Sequence, residues 1–151
     1  MFALSNPTSK SECTAEQAYA WSGGRALYAS GSPFDPVTLG GRSYVSRQGN
    51  NSYIFPGVGL GVIASRATLV TDGMFMAAAQ SLARDVTEAD LAQGSLYPPL
   101  AAIREVSAHI AVAVARVAYD SKLAREPEPA DLAAFVRSRM YEPRYRNHAA
   151  A

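Results

Sequence analysis

The sequence predicts an α/β fold that is poor in strands, with two or three short strands at the front and about five helices behind them. Three observations carry this. Two short apolar segments, residues 2–5 and 26–30, flank one helical stretch. Residues 35–52 are rich in Gly, Ser, Asn and Pro, the chemistry of turns and a hairpin. From residue 56 onward, apolar residues recur at helical spacing between proline breaks.

Residues 2–5 read as a buried strand that begins at the very start of the chain, so it is expected either at a sheet edge or within a longer protein. Asn6-Pro7-Thr8-Ser9 turns away from it. A helix is expected over residues 14–21. Thr14 is its N-cap and Gln17 the capping-box partner three residues on, and Gly23-Gly24 stops it. Residues 26–30 form the second strand. Gly40-Gly41, between residues 37–39 and 43–45, signals a hairpin. Gln48-Gly49-Asn50-Asn51 is a polar tip before the apolar run 53–55, and Pro56-Gly57 opens a helix through residue 65. Further helices are expected at 72–86, at 87–93 with Thr87 as N-cap and Asp90 three residues later, at 103–123 and at 130–140. Pro98-Pro99 and Pro127–Pro129 break the chain between them.

Composition narrows the function. Hydrophobic residues are 48% and charged residues 18% of 151, a globular rather than a disordered balance. A net charge of +1 gives no electrostatic footprint for nucleic acid or an anionic membrane. The longest apolar runs, 53–64 and 110–115, fall short of the roughly 20 residues that span a bilayer. The start has no basic, apolar leader, and the single Cys13 fits a reducing compartment, so a cytoplasmic protein is expected.

Two amide clusters are the candidate site. Asn6 follows a strand, where an open parallel sheet binds ligands beyond its carboxyl ends. Its carboxamide both donates and accepts hydrogen bonds, so it can hold a carboxylate or a hydroxyl. From spacing alone, an Asx-type turn before Pro7 is the favoured reading of Asn6. Asn50 and Asn51 sit on a Gly-containing loop before a helix, where a small polar ligand would fit, although a plain loop also favours Asn and Gly. The spacing Gly57-x-Gly59-x-Gly61 is not a dinucleotide fingerprint and reads as helix packing. His109 has no His or Cys at ligand spacing, His148 lies in the tail, and Cys13 has no paired histidine. No catalytic or metal-binding set is found in the sequence.

Taken together, several segments resemble malic enzymes. They are Phe2-Ala3-Leu4-Ser5-Asn6-Pro7-Thr8, Glu12-Cys13-Thr14-Ala15-Glu16, Ala29-Ser30-Gly31-Ser32-Pro33-Phe34, Gln48-Gly49-Asn50-Asn51, Ile54-Phe55-Pro56-Gly57 and Leu96-Tyr97-Pro98-Pro99. The resemblance covers nearly the whole chain in consistent order. It implies the C-terminal portion of a Rossmann-like NAD(P)-binding domain over residues 1–125, truncated at its N-terminus, with a C-terminal helix and tail over 126–151. It further implies oxidative decarboxylation of malate to pyruvate and carbon dioxide. NAD is placed ahead of NADP as the cofactor, and Mg or Mn is bound by an upstream part along with the acid–base residues. Asn6 matches the family asparagine that touches substrate beside the nicotinamide, Asn50 matches another substrate-binding asparagine, and Asn51, its neighbour in the same loop, is taken as a site residue with them. The resemblance also implies a homodimer or homotetramer; Tyr141, Arg144 and Tyr145 of the tail are candidate subunit contacts, with an idle, solvated charged surface as the equal alternative. A non-catalytic binding module derived from the same family is the alternative. The reading requires the turns at 6 and 50–51 to meet at one polar pocket.

Overall fold

The computed structural model describes residues 1–143. Its five strands are short and its six α-helices carry most of the mass. The strands are β1 (Phe2–Ala3), β2 (Ala29–Ser30), β3 (Val37–Leu39), β4 (Arg42–Tyr44) and β5 (Arg47–Gln48). The helices are α1 (Ala15–Ser22), α2 (Phe55–Ser65), α3 (Asp72–Arg84), α4 (Glu88–Ala92), α5 (Ile103–Asp120) and α6 (Leu132–Ser138).

β1, β2 and β5 form a parallel sheet in the order β1-β2-β5, with Phe2 opposite Ala29 and Ala29 opposite Arg47. Helix α1 is the crossover between β1 and β2. The link from β2 to β5 contains the antiparallel β3–β4 hairpin instead of a helix. Gly40 and Gly41 both take positive φ, 60° and 77°, as a tight hairpin turn between right-twisted strands requires.

Local chemistry sets the helix ends as the sequence indicates. Thr14 accepts from the Gln17 amide, Gln17 reaches back to the Thr14 amide, and Gly23 closes α1 in the left-handed region. Thr87 and Asp90 make the same reciprocal cap on α4. In α3, Met74, Ala78 and Leu82 are buried, but Phe75 lies outside that stripe and is exposed. Helix α5 ends at Asp120, three residues before its expected end, and Lys122 beyond it has φ 57°.

The core has three parts. Tyr53 and Val58 pack with the α3 stripe and with Val106, Ile110, Val114 and Ala118 of α5. Beneath the sheet, Ala3, Ala15, Ala18, Tyr19, Tyr28 and Tyr44 form a second cluster, in which Tyr19 stacks on Tyr44 at 4.4 Å. Leu132 and Val136 of α6 dock on Ala64, Ala111 and Ala115.

Two expectations are corrected here. The strand at residues 2–5 is two residues long, and only Ala3 is buried, while Phe2 and Leu4 are exposed. Its position explains this: among the described residues β1 pairs with β2 alone and stands at the edge of the sheet. Residues 26–28 are not strand, because ladder pairing reaches only Ala29 and Ser30. Of the proposed contact residues, Tyr141 is 79% exposed, while Arg144 and Tyr145 lie outside the described residues. Among the described residues, no helix is long and apolar enough to cross a membrane.

Candidate functional site

The sheet's direction decides where the candidate residues fall. β1 and β5 run parallel on either side of β2, so the turns that leave their carboxyl ends emerge at the same end of the sheet. Asn6 lies in the first turn, and Asn50 and Asn51 in the second. The two turns approach each other through Leu4 and Gly49: a Cβ placed on Gly49 would lie 3.2 Å from Leu4 Cδ2.

All three asparagines are exposed. Asn50 uses its side-chain oxygen to accept from the Ser52 amide at 2.9 Å, capping the 3₁₀ turn Asn51–Tyr53. That leaves its amide NH₂ to donate outward. Asn6 and Asn51 make no side-chain hydrogen bond among the described residues. Just before Asn6, the Ser5 hydroxyl donates to Glu12 Oε1 at 2.5 Å and the Ser5 amide to Glu12 Oε2 at 3.3 Å. The hydrogen bond from the Ser5 side chain is the main reason that the Glu12 carboxyl is held below its usual range.

A cavity of about 440 Å³ opens between these turns and α3, lined by Leu4, Asn50, Asn51, Ile54, Leu82, Leu96 and Tyr97 among others. This corrects the polar pocket expected from sequence: the wall is mainly apolar, the carboxamides of Asn50 and Asn51 form its polar part, and Asn6 is not among its lining residues. The apolar wall comes from Phe2 and Leu4, from Ile54 just before α2, from Leu82 and its neighbours in α3 and from Leu96, side chains that the amide motifs do not reveal. A second cavity of about 450 Å³ lies on the other side of Asn50, bounded by Phe34, Arg47, Gln48, Ser52 and Leu100. Asn50 thus borders both spaces.

The asparagine loop has supports that sequence reasoning missed. Gln48 donates to the Gly31 carbonyl at 2.7 Å and the Gly49 amide to the Ser30 carbonyl at 2.8 Å. Arg47 Nη1 donates to the Tyr97 carbonyl at 2.5 Å and lies 2.7 Å from Asp90 Oδ1. Tyr97 stacks on Tyr53 at 5.4 Å, and the Tyr53 hydroxyl donates to the Pro98 carbonyl at 2.7 Å. Asp90 was legible in the sequence only as a cap residue, and nothing in the spacing ties it to Arg47.

Elsewhere, His109 Nδ1 lies 2.9 Å from Asp85 Oδ1, and Cys13 is a buried free thiol. Among the described residues, no group of three or more His, Cys, Asp or Glu side chains is placed to hold a metal ion. The chemistry this end of the sheet offers is hydrogen bonding by neutral carboxamides beside an apolar wall. That suits orientation of a small oxygen-rich ligand rather than acid–base work.

Comparison with known proteins agrees with the geometry. A family model described as "Malic enzyme, NAD binding domain" matches residues 1–119. The chain is 56% identical over 149 residues to the NADP-dependent malic enzyme, chloroplastic, of Flaveria pringlei, covering 98% of this chain and 23% of that protein. It is 55% identical to NADP-dependent malic enzyme 2 of Arabidopsis thaliana, covering 98% of this chain and 25% of the relative. With the chloroplastic NADP-dependent malic enzyme of Zea mays it shares 53% identity, covering 98% and 23%. The chain therefore spans about a quarter of the length of these relatives. The cytoplasmic location expected from the absence of a leader is overturned, because the relatives from Flaveria pringlei and Zea mays are named as chloroplastic proteins. The parallel sheet with its crossover helix and helical shell is a partial Rossmann-like α/β fold, and the chain belongs to the malic enzymes, within the family of their NAD binding domain.

Proposed function

We propose that this chain provides the substrate- and nicotinamide-facing carboxamides of a malic enzyme, which oxidises malate and releases carbon dioxide to leave pyruvate. The observation that carries the reading is the shared carboxyl end of β1 and β5, which brings the Asn6 turn and the Asn50–Asn51 turn to one side of the sheet. In this reading the outward NH₂ of Asn50 donates to a malate oxygen, while its own oxygen stays engaged by the Ser52 amide. A bound nicotinamide would supply the hydride acceptor, and the carboxamides would hold malate with its C2–H turned towards it. Neutral amides grip carboxylate and hydroxyl oxygens without adding a charge beside the hydride path. The names of the relatives favour NADP over NAD as the hydride acceptor. We assign the acid–base chemistry and the divalent ion to the part of a full-length malic enzyme that this chain does not span; among the described residues no group of three or more His, Cys, Asp or Glu side chains is placed to hold a metal ion.

The test uses the full-length Zea mays relative with its aligned segment replaced by this chain. In that enzyme Asn50→Ala is expected to raise the malate KM or lower kcat by about tenfold or more, the scale of one lost hydrogen bond to a charged group. Unchanged constants for malate would remove Asn50 from the site.

A further inference from the structure

β5 is only two residues long and has a strand partner on one side, so its ladder alone holds the asparagine turn weakly. Its open side is closed by the stretch between α4 and α5. The Val45 amide donates to the Gln93 carbonyl at 2.9 Å, and the Ser95 hydroxyl to the Val45 carbonyl at 2.6 Å. Arg47 then reaches the Tyr97 carbonyl and Asp90 with the same nitrogen.

Both ends of that ion pair are immobilised. Asp90 Oδ2 accepts from the Thr87 hydroxyl at 2.7 Å and from the Thr87 amide at 3.0 Å, which fixes it at the start of α4. Arg47 is paired in β5 and stands three residues before Asn50. The side chains are only 15% and 8% exposed. A buried ion pair of this kind adds little net stability over apolar residues of similar volume, because desolvation offsets its attraction. Breaking it is costly, since that leaves a charge buried and unpaired. The clearance at the turn is small: a Cβ on Gly49 would lie 3.1 Å from the Tyr97 hydroxyl. Movement of residues 95–98 is therefore transmitted to Gly49 and Asn50.

We propose that Arg47 and Asp90 are positioning residues for the Asn50 carboxamide, acting on bound malate through that group without touching it. The proposal rests on the reading of Asn50 given above.

A double-mutant cycle in the same full-length chimera tests it. Arg47→Met is expected to raise the malate KM about tenfold while the cofactor KM stays within about twofold, and Arg47→Lys to recover part of the loss. In the Asn50→Ala background, Arg47→Met should have no further effect on malate, because the group through which it acts is gone. If the two substitutions multiply, or if malate and cofactor constants change together, the positioning role is overturned. If Asn50→Ala alone changes nothing for malate, the site reading itself fails, an outcome distinct from multiplication. Should Arg47→Met give no soluble enzyme, Asp90→Asn, which keeps an oxygen for the Thr87 cap, is carried through the same cycle: no further effect in the Asn50→Ala background supports the role, and multiplication overturns it.

Discussion

Gly57 of α2 stands against Ile110 of α5, so that a Cβ on the glycine would lie 2.5 Å from Ile110 Cγ2 and 2.9 Å from the Ser107 carbonyl oxygen. One turn later a Cβ on Gly61 would lie 2.6 Å from the Ala111 carbonyl oxygen, whereas Gly59 faces open space. Gly57→Ala and Gly61→Ala are each expected to cost about 1–3 kcal/mol by overpacking. Gly59→Ala should gain about 0.5–1 kcal/mol from helix propensity. Urea unfolding of the three variants distinguishes them, and equal effects at all three positions would contradict the helix contact.

Acid should act through Asp90. Hydrogen bonds from Thr87, foremost its side chain, with Arg47 adding to them, hold the Asp90 carboxyl below its usual range. A depressed folded-state value means stability that is complete above the unfolded value near about 4 and lost as pH falls through the folded one. Asp90→Asn should therefore melt earlier at neutral pH and show a shallower fall of Tm below about pH 4. Parallel Tm curves for the two proteins would contradict this coupling.

Alkali should act through Tyr28. The residue is fully buried and its hydroxyl donates to the Cys13 carbonyl at 2.9 Å. Burial, more than any neighbour, pushes its hydroxyl up to about 12. The unfolded chain loses that proton near about pH 10, so the Tyr28 contribution is present below that value and is lost as pH rises towards the folded one. Tyr28→Phe should flatten this part of the stability profile and remove one late-titrating tyrosine from the ultraviolet absorbance curve. A titration with the same late component in the variant would show that another tyrosine carries it.

Gly31 governs how β1 sits on β2. A Cβ there would overlap the Leu4 carbonyl, and the backbone on that side cannot yield as a side chain would. Gly31→Ala should lift β1, breaking the Gly31 amide bond to the Ala3 carbonyl (2.8 Å) and the Ala29 amide bond to the Met1 carbonyl (3.0 Å). Hydrogen exchange at Ala29 and at position 31 should then speed up while α5 stays protected. Unchanged exchange at both amides would mean that the sheet tolerates the methyl group.

What was legible in the sequence follows the range of the chemistry involved. The caps at Thr14 and Thr87 and the turn at Gly40-Gly41 depend on residues three or fewer apart, and each formed where the pattern put it. The α5 stripe repeats its period long enough to be unmistakable. β5 was hidden within a polar loop, since Arg47 and Gln48 have no strand-like pattern and become strand only by pairing with Ala29 and Ser30. The asparagines were visible because amides beside Gly and Pro stand out. Their surroundings were not, because Leu82 of α3 and Leu96 and Tyr97 reach the turn only through the folded chain.

The bonds that close the outer side of β5 also order events during synthesis. Arg47 reaches Tyr97 and Ser95 reaches Val45 across 50 positions, and Tyr53 reaches Pro98 across 45. Residues 47–53 leave the ribosome long before their partners exist, so the nascent loop stays hydrated until the chain through Pro98 has emerged and folded back. The asparagine-bearing edge is thus completed from its C-terminal side, and a polypeptide halted before Tyr97 would carry the asparagines without the contacts that Tyr97 and Pro98 make to Arg47 and Tyr53.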